Sequence, residues 1–203
     1  PCKALTQEGY EVTYLQPDHA GRITADQVEA ALREDTALVS IMAVNNETGN
    51  VYPIAEIARQ LKARKSRALL HTDAVQAFLK VPLHAQEDGA DLISLSAHKI
   101  GGPKGVGALY IAPALQSKMI PLLRGGGQEQ GLRSGTEATA QIAGFAKAVA
   151  QRADQLEEIL AHTRAMRDYA LERLLSIPTV QVLGTPDAPH ILCLTLPGYP
   201  SQN

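Results

Sequence analysis

The chain has 203 residues, of which 45% are hydrophobic and 20% charged, the balance of an ordinary globular protein. Its formal net charge of -2 excludes the strongly basic surface with which proteins bind nucleic acid or anionic membranes. There is no apolar run long enough for a membrane-spanning helix and no signal-peptide pattern at Pro1. Two distant cysteines provide neither a disulfide framework nor a CxxC metal pair. We therefore predict a soluble, cytoplasmic protein.

The first predicted elements alternate between strand and helix. Residues 11–16 are predicted as a strand, and Thr24 and Gln27 then have the spacing of a helix-capping box. Residues 37–44 are predicted as a buried strand because they are apolar and β-branched. Pro53 is predicted at the first position of the next helix. The apolar face of that helix comprises Ile54, Ile57, Ala58 and Leu61.

Three further strands are predicted at residues 68–71, 91–96 and 106–112. Strands separated by helices are typical of right-handed βαβ units, so we predict an α/β fold with a mostly parallel sheet. The Gly-rich connection before residues 106–112 is too short for a crossover helix, and this strand is therefore expected to pair antiparallel.

The composition changes in the last third of the chain. Residues 137–175 are rich in Ala, Gln, Arg, Leu and Glu, which predicts one long helix or two. Strand-like runs follow at 180–183 and 191–196. A long helix that leaves an α/β layer for a new β segment suggests a domain boundary. We expect 1–155 to belong to a large domain and 156–203 to begin a smaller α+β domain.

Polar and glycine residues follow three of the predicted strands, at 45–49, 72–76 and 97–105. In open α/β sheets, ligands bind at the carboxyl ends of the strands. The three segments would therefore bring Asn, Asp, Gln, Ser, His and Lys to one edge, which predicts a ligand site there.

Within this set, Lys99 directly follows a buried-looking strand, and a partly desolvated lysine is a nucleophile suited to a Schiff base with an aldehyde. The alternative is an ordinary solvated lysine. Asp73 could hold a protonated pyridine nitrogen, or it could cap a helix over residues 74–77. His71 and Asp73 form an HxD pair, but no third metal ligand is evident.

Two glycine-rich segments differ in what they predict. Residues 101–107 match neither a P-loop nor a dinucleotide-binding motif and are expected to form a tight connection. Residues 125–136 combine glycines with Arg133 and a Ser-Gly-Thr sequence before a helix. This segment could present backbone N–H groups and hydroxyls to a phosphate, or it could be a flexible loop.

Taken together, four segments resemble the aminotransferase class V enzymes, and within them the NifS/IscS-like cysteine desulfurases. The segments are VNNETG (44–49), HTDAVQA (71–77), SLSAHKIGGPKGVGALY (94–110) and GGGQEQGLRSGT (125–136). The resemblance implies a fold-type I transferase that uses pyridoxal 5'-phosphate and works as a homodimer.

The resemblance also implies roles for individual residues. Lys99 would bind the cofactor covalently through its amine and then act as a base. Asp73 would pair with the pyridine nitrogen, Gln76 would hydrogen-bond the phenolic oxygen, and Asn46 would lie beside the same ring edge.

The phosphate group would be held by a second set of residues. Ser96 and His98 would contact it within the chain. Thr136 would contact the phosphate bound to the other subunit of the dimer.

The resemblance has one clear departure. The family's sulfur-accepting cysteine lies on a loop beyond the matched region, and neither Cys2 nor Cys193 fits it. Cys193 lies in a buried-strand pattern, where a thiol should be inert. We expect the sequence to be an internal piece of a longer protein. We also expect this piece to be inactive on its own.

The implied reaction converts L-cysteine to L-alanine and leaves a persulfide for an iron–sulfur scaffold or another sulfur acceptor. Selenocysteine lyase, or another class V lyase or aminotransferase, is the first alternative. A non-catalytic scaffold protein is the second, and the intact set of Lys99, Asp73, Gln76 and His98 argues against it.

Overall fold

A four-stranded mixed sheet forms the centre of the computed structural model, which describes residues 1–85 and 87–199. Its strand order is β1-β2-β3-β4. The strands β1 (Leu38–Met42), β2 (Leu69–Asp73) and β3 (Leu92–Ser96) are parallel. The fourth strand, β4 (Gly107–Ile111), is antiparallel to β3. The predicted sheet, including its antiparallel strand, is confirmed.

Strand β1 is buried on one face only, whereas its composition predicts a buried strand. Val39 is 9% exposed, whereas Leu38 is 50% and Met42 is 41% exposed. Alternate side chains of a strand point to opposite faces, and β1 lies at the edge of the sheet. Its apolar composition therefore exceeds what its burial requires in the described structure.

Two helices cover the buried face of this part of the sheet. The helix α2 (Ala25–Ala31) begins with the predicted capping box, in which the Gln27 N–H donates to the Thr24 hydroxyl at 3.2 Å. The helix α3 (Ile54–Ala63) buries the predicted apolar face. Pro53 precedes it as the N-cap residue rather than occupying the first helical position.

The predicted strand at 11–16 is absent. A short helix, α1 (Cys2–Gln7), precedes this segment, which forms no strand. It is held instead by side chains, since Arg33 Nη1 donates to the Thr13 hydroxyl at 3.1 Å and Gln27 Nε2 to the Gln16 carbonyl at 3.3 Å. A strand requires backbone hydrogen bonds to a neighbouring segment, and residues 11–16 form none with another strand in the described part of the chain.

The long helical region consists of two helices. A one-turn helix, α4 (Pro113–Gln116), follows β4, and α5 (Thr139–Asp154) and α6 (Leu156–Leu175) come after it. The last two predicted strands are present as β5 (Gln181–Leu183) and β6 (Cys193–Thr195), and they form a separate antiparallel pair. No helix in the described part of the chain is long and apolar enough to cross a membrane.

The principal core lies between the main sheet and the helices α2 and α3. Its largest fully buried side chains include those of Ile57 and Leu70. A smaller cluster, formed by Ala97, Ile100 and Phe145, packs α5 against the turn that follows β3. The two clusters together hold the carboxyl ends of the parallel strands in place.

Candidate active site

The carboxyl ends of β1, β2 and β3 meet at one edge of the sheet. Met42, Asp73 and Ser94 are in register across the three strands. The Ala43 N–H donates to the Asp73 carbonyl at 2.8 Å, and the Ala74 N–H donates to the Ser94 carbonyl at 3.0 Å. Six predicted site residues leave the strands at this edge: Asn46, Asp73, Gln76, Ser96, His98 and Lys99.

A single turn of 3-10 helix, Ala97–Ile100, presents two of them to solvent. Ala97 and Ile100 are buried on its inner side, so His98 and Lys99 face outward. The Ser96 hydroxyl lies 2.7 Å from His98 Nδ1. The prediction of a partly desolvated Lys99 is not met here, because its side chain is exposed. The buried side chains of this turn are instead those of Ala97 and Ile100.

Asp73 ends β2 and begins a turn. Its Oδ1 accepts the Val75 N–H at 2.9 Å, and residues 74–80 continue as turns rather than as a helix. The alternative role as a helix cap was therefore wrong, although the carboxylate does cap a turn. The side chain is exposed, which leaves the carboxylate accessible to a ligand.

Asn46 is also exposed, in the loop after β1. The neighbouring Asn45 shapes this loop, because its Oδ1 accepts the backbone N–H groups of Glu47 and Thr48 at 2.9 and 3.0 Å. The loop thus holds Asn46 at the edge without using the Asn46 side chain.

Thr136 is not brought to the same place. It is exposed at the end of the glycine-rich loop, and no hydrogen bond among residues 1–85 and 87–199 joins it to the other six. Within the loop, Glu129 and Gln130 have left-handed φ angles of 50° and 56°, which is costly for residues other than glycine. Both residues lie in a single 3-10 turn, Gln128–Gly131, within the loop.

Lys80 lies beside the candidate site but belongs to no motif that predicts it there. Its side chain is 6% exposed, and Nζ donates to Gln76 Oε1 at 3.1 Å and to the Val75 carbonyl at 3.4 Å. Burial, together with the positive charges of Arg152 and Lys99, lowers the pKa of Lys80 to about 8. The only sequence signal was its position within the apolar run AFLKVPL.

His190 is a second such residue. Both of its ring nitrogens are buried and have no hydrogen-bond partner in the described part of the chain. Burial and the charges of Lys80 and Arg152 lower the pKa of His190 to about 4, and an interaction with the Gln76 backbone opposes this shift. No motif marks this residue, which reaches the site from the segment before β6.

His71 is a structural bridge beneath Asp73. Its Nδ1 lies 2.8 Å from the Ser40 hydroxyl and its Nε2 lies 2.9 Å from the Ser94 hydroxyl, so the ring links three strands. Burial lowers the pKa of His71, and the charge of Asp73 opposes this. Both ring nitrogens are engaged by serines, which leaves neither for a metal ion.

The two cysteines lie in other elements. Cys2 is exposed on α1, and Cys193, which the sequence places in a buried-strand pattern, is half-buried on β6. A cavity of about 550 Å³ also lies away from the edge formed by the carboxyl ends of β1, β2 and β3. Its lining residues include Ala37, Leu69 and Met119, which places it at the amino ends of β1 and β2. The candidate site is therefore the open edge itself.

Comparisons with known proteins agree with this architecture. The aminotransferase class-V family matches residues 1–203. The cysteine desulfurase IscS of Vibrio atlanticus is 44% identical over 95% of this chain and 48% of its own length. The mitochondrial cysteine desulfurase of Saccharomyces cerevisiae is 42% identical over 96% of this chain and 39% of its own length.

A solved NifS-like protein superposes with a TM-score of 0.91 at 36% identity, covering 98% of this chain and 54% of the other. The predicted fold-type I architecture is thereby confirmed. The chain spans less than half the length of these two curated relatives. A match along the whole sequence, with the same fold, shows that this chain belongs to the aminotransferase class-V family.

Proposed function

We propose that this chain carries the cofactor-binding part of a pyridoxal-phosphate-dependent cysteine desulfurase. Aminotransferase class V enzymes depend on this cofactor. The observation that carries the proposal is the convergence of a carboxylate, an amide, a hydroxyl–imidazole pair and an exposed amine at one edge of the sheet. The names of the curated relatives support the choice of reaction.

The donor set fits the chemistry of pyridoxal phosphate. Its aldehyde requires an amine, which Lys99 would supply. Its pyridine nitrogen requires an acid partner, for which the exposed carboxylate of Asp73 is suited. Ser96 and His98 would donate to the phosphate, and they already lie within hydrogen-bond distance of each other. Gln76 and Asn46 would contact the phenolic oxygen side of the ring.

When bound, the cofactor supplies an electron sink for negative charge that develops on the substrate's α-carbon. Asp73 would hold the proton on the ring nitrogen, which strengthens that sink. Lys99, whose side chain is exposed, would move a proton at the α-carbon of the amino acid. Ser96 and His98 would fix the ring through its phosphate.

The proposed overall reaction takes L-cysteine and an enzyme thiol to L-alanine and an enzyme persulfide. It needs a sulfur-accepting cysteine. Neither Cys2, exposed on α1, nor Cys193, half-buried on β6, belongs to the edge where the other groups converge. We therefore propose that the accepting thiol lies outside these 203 residues.

The absence of a cysteine from this edge of the sheet, among the described residues, also favours one alternative reaction. A selenocysteine lyase, or another class V lyase or aminotransferase, would use the same cofactor residues without requiring an enzyme persulfide. Mass spectrometry after turnover with L-cysteine distinguishes the reactions, because only the desulfurase adds one sulfur atom to an enzyme cysteine.

Partners, location and domain division belong to the same proposal. We propose a homodimer in which Thr136, exposed on its loop, contacts the phosphate of the other subunit. The sulfur would pass to an acceptor or iron–sulfur scaffold protein, in the cytoplasm. Residues 1–155 would belong to the cofactor-binding domain, and 156–203 would begin a smaller one, a division supported by the helix break at Gln155.

The first test is borohydride reduction in the presence of pyridoxal phosphate, using the protein expressed from its complete gene. We expect a single pyridoxyl label on Lys99, and Lys99→Ala should lose it while keeping the fold. Lys104→Ala is the matched control, because it removes an exposed lysine from the same loop. Labelling that persists in Lys99→Ala, or that is scattered over surface lysines, would refute the assignment of Lys99.

A further inference from the structure

Lys80 is a buried cation that forms no salt bridge within residues 1–85 and 87–199. Its amine has two hydrogen-bond acceptors in the described structure, Gln76 Oε1 and the Val75 carbonyl. The charged groups that act on it, Arg152 and Lys99, have the same sign, and its pKa is lowered to about 8. Burying a charge without a counter-ion is unfavourable, and an apolar side chain would fill this space at lower cost. Stability alone therefore does not account for a lysine here.

The backbone next to Lys80 has an uncommon conformation that is held by a hydrogen bond from the helix α5. Residue Leu79 has a left-handed φ of 53°, a conformation that is uncommon outside glycine. The Leu79 carbonyl accepts a hydrogen bond from Arg152 Nε at 2.8 Å, which holds this conformation from α5. Strained residues held by their surroundings cluster at functional sites.

The contact with Lys80 determines how the Gln76 amide is oriented. A carboxamide has one acceptor oxygen and one donor nitrogen. Because Oε1 accepts from Lys80, Nε2 is directed away from the amine, and it donates no hydrogen bond within residues 1–85 and 87–199. Gln76 is half-buried, so its nitrogen is an oriented donor at the edge of the candidate site.

We propose that Lys80 is a positioning residue that fixes the Gln76 carboxamide with Nε2 directed at the phenolic oxygen of the cofactor. This inference rests on the proposed function and adds a residue to its site. Lys80 itself touches neither cofactor nor substrate. It acts by removing the alternative amide orientation, in which a carbonyl oxygen would face the electron-rich phenolic oxygen.

The test is a double-mutant cycle with Lys80→Met and Gln76→Ala, made in the protein expressed from its complete gene. The measurements are the dissociation constant for pyridoxal phosphate and the pH titration of the absorbance of the bound cofactor. We expect Lys80→Met to weaken cofactor binding about tenfold, as loss of one hydrogen bond to a charged group would. The absorbance should also titrate at higher pH, because the phenolic oxygen loses a donor.

The cycle separates positioning from packing or charge. In the Gln76→Ala background, Lys80→Met should have less than about a twofold further effect, because there is no amide left to orient. An undiminished effect in that background, or unchanged binding and titration in Lys80→Met alone, would overturn the inference. Lys80→Arg retains the donors and should recover much of the affinity. Should Lys80→Met not fold, Lys80→Ala replaces it and is judged by the same outcomes.

Failure of this inference is distinguishable from failure of the proposed function. If the unsubstituted protein binds pyridoxal phosphate at Lys99 and Lys80→Met behaves identically, only the role of Lys80 is wrong. If the unsubstituted protein binds no pyridoxal phosphate, both proposals are wrong.

Discussion

At the scale of single residues, the candidate site combines exposed reactive groups with buried supporting ones. Asp73, His98 and Lys99 are exposed, whereas Lys80 and the ring nitrogens of His190 are buried behind them. Buried ionisable groups without partners have shifted pKa values, and such shifts link protonation to stability.

His190 makes this linkage measurable. Its pKa is about 4 in the folded protein and 6.5 ordinarily, so the unfolded chain binds more protons between these values. The free energy of unfolding should therefore fall as the pH is lowered from about 6.5 to about 4, and this group should have no effect above that window. After allowance for partial exposure, we expect a loss of about 1–2 kcal/mol.

Urea unfolding at several pH values tests this expectation. His190→Phe should flatten the dependence between pH 6.5 and 4. His162→Phe, at an exposed position on α6, is the matched control and should retain the slope of the unsubstituted protein. An equal slope in His190→Phe and the unsubstituted protein would show that His190 is not the group responsible.

At the scale of elements, short-range chemistry explains the helix starts well and the strands less well. The capping box of α2 follows from Thr24 and Gln27 alone, because both hydrogen bonds join residues three positions apart. The segment 11–16 has the composition of a strand but no pairing partner in the described structure. Capping is a local property, whereas strand formation depends on a second segment.

The cap should contribute measurably to stability. Thr24→Ala removes the acceptor for the Gln27 N–H at the start of α2, and we expect a loss of about 1 kcal/mol in the free energy of unfolding. Thr179→Ala, at an exposed position with no side-chain hydrogen bond in the described structure, is the control. Chemical denaturation of both variants measures the two free energies of unfolding. Equal stabilities would mean that α2 does not depend on its cap.

At the scale of the whole molecule, Asn50 joins segments that are far apart in sequence. It is 1% exposed, and its Nδ2 donates to the Ala20 carbonyl at 2.9 Å and to the Thr185 hydroxyl at 2.7 Å. Gly184 packs so closely that a Cβ there would lie 2.6 Å from Asn50 Oδ1. This amide therefore connects the loop after β1 with the segment between β5 and β6.

Asn50→Ala should be markedly destabilising. It leaves buried polar groups of two distant segments without partners, and we expect a loss of about 2–3 kcal/mol in the free energy of unfolding. Asn46→Ala, in the same loop but exposed, is the stability control and should change it by less than about 0.5 kcal/mol. Similar losses of unfolding free energy in both variants would show that the buried hydrogen bonds of Asn50 do not stabilise the protein.

The amino-acid sequence alone predicts the α/β alternation, the antiparallel strand β4 and the three polar segments at the sheet edge. These features depend on local periodicity and on polar residues placed directly after strands, such as Asp73 after β2. The tertiary structure alone revealed the pairing of Lys80 with Gln76, the burial of His190 and the bridge from Asn50 to Thr185. Periodicity can show that a residue follows a strand, but a buried contact depends on which distant segment packs against it and which polar partner that segment brings.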